Sequence, residues 1–356
     1  VVGACPYPVA QGSQVYLTES ARTYQELGHE VDLCVYGYGA GSDPEGLTIH
    51  RAPMIPFARR VKAGPSWAKP LLDWRMISFL RRLVTELNIE VIDAHNYEAL
   101  MVSLAARACP VIYHAHNAMA DELPYYRGFG RIGRPLGAWL DRRYPRRADA
   151  IIAPHERLRD YLVENGCESD RITVIPPGID PEPFVHEKKS SENPVVVYSG
   201  NMDAYQNPGM LKDVMTRIGE LCPDSRRVVA TDDADALDYA DVVSTANFGA
   251  LRELLASDAV FICPRVSWSG YPIKLLNAMA AGLPVVACRS SAYPVVDGET
   301  GYVVEDGDVD AMAAKVVDLL GDAISRRRMG EAARNRSVDL YAQRGMIDAV
   351  IEQVLS

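Results

Sequence analysis

The chain has 356 residues, of which 48% are hydrophobic and 24% charged. That is too long for one ordinary domain and suits two of roughly 150–200 residues each. A formal charge of −10 argues against general nucleic-acid binding, and no apolar run approaches the roughly 20 residues of a membrane-spanning helix. Seven scattered cysteines without a CxxC pair predict free thiols in a reducing cytoplasm.

The first elements are an apolar run, Val1 to Cys5, then a turn-rich stretch from Pro6 to Gly12. A helical pattern over about 13–27 stops at Gly28, and Glu30 to Tyr36 reads as a strand. This is a βαβ unit. Further buried strands are expected at 90–93, 111–113, 150–153 and 173–175, with helices between them. The same grammar restarts at Pro194 and continues with strands near 227–230, 241–244, 260–263, 284–287 and 301–304. The proline-rich segment 176–193 reads as the linker. Alternation of this kind predicts parallel sheets covered by helices. Charge divides the same way: residues 1–180 carry 20 Lys and Arg against 21 Asp and Glu, and the remainder carries 17 against 26.

Ligands of open parallel sheets bind beyond the carboxyl ends of the strands. After the first strand, Gly12 and Ser13 open a helix, where small residues and helix N–H groups favour a phosphate; a plain tight turn is the alternative. Two later loops carry histidines: Asp93-Ala-His95-Asn96 and His114-Ala-His116-Asn117. They read as the polar rim of a substrate pocket or as simple strand-end caps. A metal site is the weaker reading, since no supporting carboxylate or thiol stands out from the spacing. The richest stretch runs from Cys263 to Ala287. Here Ser269, Gly270, Tyr271 and Pro272 precede a helix, and Arg265 and Lys274 offer positive charge to a diphosphate. An exposed helix lysine is the bland alternative for Lys274. Two basic, aromatic stretches, 59–82 and 127–147, read either as solvated helix faces or as a surface for anionic lipid or a phosphate-bearing acceptor.

Taken together, Pro6–Gln14, Asp93-Ala-His95, His114-Ala-His116, Val174–Asp180, Ser269–Ala287 and Asp297–Val304 resemble the retaining glycosyltransferase family 4, of GT-B architecture. The resemblance implies two Rossmann-like α/β domains with parallel sheets facing across a cleft. Residues 1–178 would be the acceptor-binding domain and 179–341 the nucleotide-sugar-binding domain, with helix 342–356 returning to the first. It implies transfer of a hexose, with retention, from a nucleotide sugar to a glycolipid, polysaccharide precursor or other glycan. A UDP-sugar is favoured over a GDP-sugar, and no obligatory metal or other cofactor is expected. His116, Lys274 and Arg265 are the expected catalytic groups. Gly12, Ser13, Gly200, Asn201, Ser269, Gly270, Tyr271, Pro272 and Asn277 fall on the donor side, and His95, Asn96 and Asn117 on the acceptor side. The expected location is the cytoplasm, peripheral on the inner face of the membrane if the acceptor is lipid-linked.

Two departures from the family pattern stand out. Ser269 and Asn277 occupy the positions of its usual paired glutamates. The segment Gly200–Asn207 lacks its usual Arg and Lys, as in a subset of members that pairs Gly-Asn…Tyr-Gln with Pro-x-Lys. Arg265 and Lys274 are therefore expected to replace the missing phosphate grip. A donor-binding protein that has lost catalysis, and an epimerase or phosphorylase on the same architecture, are the alternative readings.

Overall fold

A computed structural model describes residues 1–9, 12–55, 68–184, 194–234, 236–245 and 248–355. The basic residues Arg59, Arg60 and Lys62, Gln11 of the first loop, and 185–193 of the expected linker lie outside them. The chain divides into two compact units. One comprises Val1–Gly178, Ser269–Tyr271 and Gln343–Ser356, and the other Ile179–Trp268 and Pro272–Ala342.

The first unit is built on a seven-stranded sheet: β1 (Val2–Gly3), β2 (Asp32–Val35), β3 (Thr48–Arg51), β4 (Ile92–His95), β5 (Val111–His114), β6 (Ala150–Ala153) and β7 (Ile172–Val174). Every pairing is parallel, in the order β3-β2-β1-β4-β5-β6-β7. Strand β3 is an addition to the sequence reading. Its Thr-Ile-His-Arg run is polar and only partly buried, as an edge strand permits, and so gives no apolar signal. Helix Gly12–Glu26 ends where Gly28 takes φ +95° and its N–H closes on the Gln25 carbonyl. That left-handed step costs glycine little, so Gly28 stops the helix. Ile347 and Val350 of helix Gln343–Val350 are packed with Tyr24, Ile112, Ile152 and Ile175.

The second unit repeats the plan with six parallel strands: β8 (Val195–Ser199), β9 (Arg226–Ala230), β10 (Asp241–Val243), β11 (Ala259–Cys263), β12 (Val285–Cys288) and β13 (Gly301–Val304). Their order is β10-β9-β8-β11-β12-β13. Near-continuous Val and Ile runs suit strands buried on both faces. Val196, Val229, Val260 and Ile262 of the sheet share a core with Val214, Met215 and Ile218 of helix Pro208–Leu221.

In each sheet the strand order reverses once beside its first strand. The switch falls between β1 and β4 in the first unit and between β8 and β11 in the second. The crevice beyond the strand ends at such a point is where open α/β sheets bind ligands. All seven cysteines are free, and no helix among the described residues is long and apolar enough to cross a membrane.

Candidate functional site

In the first unit the switch point is lined by histidines. The β4–β5 register sets His95 beside His114, and Asp93 lies two residues before His95, on the same face of the strand. His95 Nε2 is 3.0 Å from Asp93 Oδ2, and Tyr24 donates its hydroxyl to the same oxygen at 3.1 Å. His114 Nδ1 lies 3.6 Å from Asp93 Oδ1, within ion-pair reach but beyond a hydrogen bond, while its Nε2 meets the Tyr16 hydroxyl at 3.1 Å. His116 continues the chain, its Nε2 at 3.4 Å from His95 Nδ1.

Electrostatics favour the anion at Asp93 and the neutral ring at His95 and His116. Burial pushes the Asp93 carboxyl up, but His95 and His114 outweigh it and hold the group well below the usual carboxylate range. Burial pushes His95 down, against the pull of Asp93. Burial, followed by His95 and His114, pushes His116 well below an ordinary imidazole. Burial, then Asp93, raises Tyr24 well above an ordinary phenol, so it stays a donor. Asp93, Tyr16 and Tyr24 were missed in the sequence. The signal for Asp93 was its i, i+2 spacing to His95 on a strand; the tyrosines come from the helix Gly12–Glu26, far away in sequence.

Asp93 also corrects the reading that no carboxylate supports the histidines. Asp93, His95 and His114 bring ligand atoms within 4.8 Å of one another, the spacing of a metal-ligand set. Asp93 Oδ2, His95 Nε2 and His114 Nε2 have the hydrogen-bond contacts described above, whereas Asp93 Oδ1 and His114 Nδ1 are buried without a hydrogen-bond partner.

The remaining first-unit residues have local duties. Asn96, at φ +85°, caps helix Tyr97–Ala106 by accepting the Ala99 N–H at 2.8 Å. Asn117 donates to Glu122. Gly12 begins its helix, and the exposed Ser13 donates to Gln14 Oε1 at 2.7 Å. Ser269–Tyr271 groups with this unit rather than with the strands that flank it in sequence. The Ser269 N–H and hydroxyl both donate to Asp121 Oδ2, at 3.0 and 2.8 Å, so that hydroxyl is engaged within the protein.

In the second unit the switch point is a cation site. Lys274 stands in the first turn of helix Ile273–Ala280, which Pro272 precedes and which also carries Asn277. Its ammonium donates to Gln206 Oε1 at 2.7 Å and to the Tyr198 hydroxyl at 3.1 Å, and lies 4.2 Å from the centre of the Tyr198 ring. It is thus no exposed helix lysine. Burial lowers its pKa to about 8; Cys263 works against this and Arg265 adds to it. Gly200, at φ +145°, makes room: a Cβ there would sit 3.2 Å from both the ammonium and the Tyr198 hydroxyl. Asn201 accepts the Tyr198 hydroxyl on its carbonyl and donates to Asp203 and Tyr205.

Arg265 is 8% exposed. It lies 5.3 Å from the Tyr205 ring centre and donates to Ser267 Oγ at 3.2 Å, leaving Nε buried and unpartnered. Among the described residues neither Arg265 nor Lys274 has a carboxylate partner. The structure thus brings Gly200, Asn201, Arg265 and Lys274 together and adds Tyr198 and Gln206, which join them through long-range contacts. The arrangement can hold an anion with several acceptor oxygens.

Residues 10–183 match the family described as Glycosyltransferase Family 4, and residues 193–322 match Glycosyl transferases group 1. A sulfoquinovosyl transferase of Arabidopsis thaliana is 24% identical over 93% of this chain and 68% of its own length. An MMP alpha-(1->4)-mannosyltransferase of Mycolicibacterium hassiacum is also 24% identical, over 93% of this chain and 91% of its own. Among solved structures, a sucrose-phosphate synthase of Thermosynechococcus elongatus superposes with TM-score 0.84 at 15% identity, covering 99% of this chain and 96% of that one. The Anabaena protein HepE, solved with UDP and glucose, gives 0.77 at 15% identity, covering 100% and 98%. Two parallel-sheet Rossmann-like units and two adjoining family matches lead to one assignment: the chain is a glycosyltransferase of the family 4, GT-B group.

Proposed function

We propose that the protein transfers a hexose, with retention of anomeric configuration, from a UDP-sugar to a hydroxyl of a glycolipid or polysaccharide precursor. The observation that carries the donor reading is the pair Arg265 and Lys274, two cations drawn into the second unit with no carboxylate to neutralise them among the described residues. Desolvated positive charge is costly, and a diphosphate is a ligand that offsets the cost. The same charges stabilise the leaving diphosphate as negative charge grows on its bridging oxygen. Gly200 and Asn201 line this side, and Pro272, Asn277 and the helix N-terminus extend it. The family resemblance adds Gly12, Ser13, Ser269, Gly270 and Tyr271 of the first unit to the donor-binding set. His116 serves the transferring sugar, with His95, Asn96 and Asn117 on the acceptor side. The UDP preference is supported by HepE, solved with UDP and with UDP-glucose; a GDP-mannose-dependent relative of Mycolicibacterium smegmatis keeps GDP-sugars as the second option.

The acceptor reading rests on helix Gly130–Arg143. Ile132, Leu136 and Trp139 form an exposed stripe at i, i+4, i+7, with Ile132 62% and Trp139 52% exposed, while Gly133, Gly137 and Asp141 bury the opposite face. Arg131, Arg134, Arg142 and Arg143 lie on the same helix. An exposed apolar stripe with arginines suits the interface of an anionic bilayer.

A thermal-shift panel of nucleotide sugars tests the donor: a ligand at 100 times its Kd stabilises the fold by about 2.7 kcal/mol. UDP-glucose is expected to raise Tm in the native protein and not in Lys274→Ala; an equal rise in both would remove the phosphate role. Nuclear magnetic resonance of the product of an α-configured donor should show an α linkage, and a β linkage would refute retention. Vesicles containing phosphatidylglycerol should sediment the protein, and Ile132→Ser/Trp139→Ser should weaken that binding. Absence of sedimentation would move the acceptor to solution.

A further inference from the structure

We infer that Asp93 is a positioning residue that fixes the tautomers of the histidine chain, so that His116 presents a bare Nδ1 and meets a ligand hydroxyl there. The hydroxyl assignment rests on the proposed sugar-transfer reading; the tautomer assignment does not. An ionised carboxylate only accepts hydrogen bonds. Asp93 Oδ2 therefore takes one from the Tyr24 hydroxyl and one from His95 Nε2. With its proton on Nε2, neutral His95 has a lone pair on Nδ1. His116 Nε2, at 3.4 Å, must then supply the proton for that contact, which leaves His116 Nδ1 without one. Among the described residues that Nδ1 makes no hydrogen bond, and His116 is only half-buried. The second branch has the geometry for the same polarity, with His114 Nδ1 3.6 Å from Asp93 Oδ1 and its Nε2 3.1 Å from the Tyr16 hydroxyl.

A neutral ring with an outward lone pair accepts from a hydroxyl and repels a phosphate oxygen. The first-unit site is thereby selective for the sugar end of a donor or for an acceptor alcohol. A metal held by Asp93, His95 and His114 would demand the opposite protonation, with lone pairs on the ligating nitrogens.

The test is two-bond proton–nitrogen correlation spectroscopy on the full chain with nitrogen-15 histidine, at pH 7.5 and without ligand. The expected spectrum has His95 and His116 protonated on Nε2 only. A His116 protonated on Nδ1, an imidazolium, or a His95 carrying its proton on Nδ1 would overturn the proposal; the last is also what bound metal would give. In Asp93→Asn the amide accepts on one side only, so either His114 or the His95–His116 pair must change tautomer. A folded Asp93→Asn protein with an unchanged spectrum would overturn the role of Asp93. Tyr24→Phe keeps the carboxylate and should keep the native spectrum, whereas inverted tautomers there would assign control to Tyr24. Added UDP-glucose should move the His116 Nδ1 resonance and added UDP should not; the reverse would refute the hydroxyl contact. If the native protein binds neither nucleotide, the donor reading falls and the ligand-free spectrum still decides the tautomers.

Discussion

Among the described residues of the second unit, two buried arginines have opposite surroundings. Arg326, 4% exposed, donates through Nε and Nη2 to both oxygens of Asp258, at 2.8 and 2.6 Å, and through Nη1 to the carbonyls of Leu319 and Leu320. Arg265, hardly more exposed, has Ser267, the face of Tyr205 and an unpartnered Nε. Similar burial, opposite satisfaction: Arg326 is held in a bidentate pair, and Arg265 is the cation proposed to grip the donor. A buried cation left unsatisfied by its own protein is therefore more informative about function than one in a tight pair. The first unit shows the paired case for an anion, since Asp93 Oδ2 is hydrogen-bonded by Tyr24 and His95 of its own fold.

The contrast predicts different stability costs. Asp258→Ala, which strands the Arg326 guanidinium, should lower unfolding free energy by about 3–5 kcal/mol in chemical denaturation. Arg265→Leu should cost about 1 kcal/mol or less, or stabilise the fold, while weakening UDP binding. Equal losses at both positions would break the distinction. Gly200→Ala comes next. Its φ of +145° and the 3.2 Å approach to Lys274 predict a loss of about 1–3 kcal/mol together with weaker UDP binding. Native-like stability with native affinity would show that the ammonium does not need that space.

Lys274 sharpens the comparison through pH. Its folded pKa, about 8, lies below the unfolded value of 10.5, so the folded state has fewer protons between these two points. Stability from this group therefore rises with pH from about 8 to 10.5, and the penalty of burying the charge is fully present below 8. Lys274→Met should remove that rise and stabilise the fold near neutrality by on the order of 1–2 kcal/mol. Affinity for UDP should fall in the native protein as the lysine deprotonates above pH 8. A flat affinity from pH 7 to 9.5 would contradict the ammonium's role.

Much of this was legible in the sequence because Val and Ile runs ending in Gly, His or Arg mark buried parallel strands and the loops beyond them. Strand β3 was not, because Thr48–Arg51 sits at an edge where burial does not dictate apolar residues. His95, His116, Arg265 and Lys274 could be read from their loops. Their neighbours could not: Tyr16 reaches His114 across 98 residues, Tyr24 reaches Asp93 across 69, and Tyr198 reaches Lys274 across 76. The engagement of Ser269 by Asp121, 148 residues apart, was equally hidden. Sequence spacing shows which side chains share a strand or helix face; charge compensation is settled by packing.

The most direct test is calorimetric titration of UDP, which lacks the sugar, into the native protein, His116→Ala and Lys274→Ala at pH 7. The native protein and His116→Ala should bind alike, and Lys274→Ala should bind about tenfold or more weakly, the loss of a charge-assisted hydrogen bond. Native affinity in Lys274→Ala, with the weakening found in His116→Ala instead, would contradict the account.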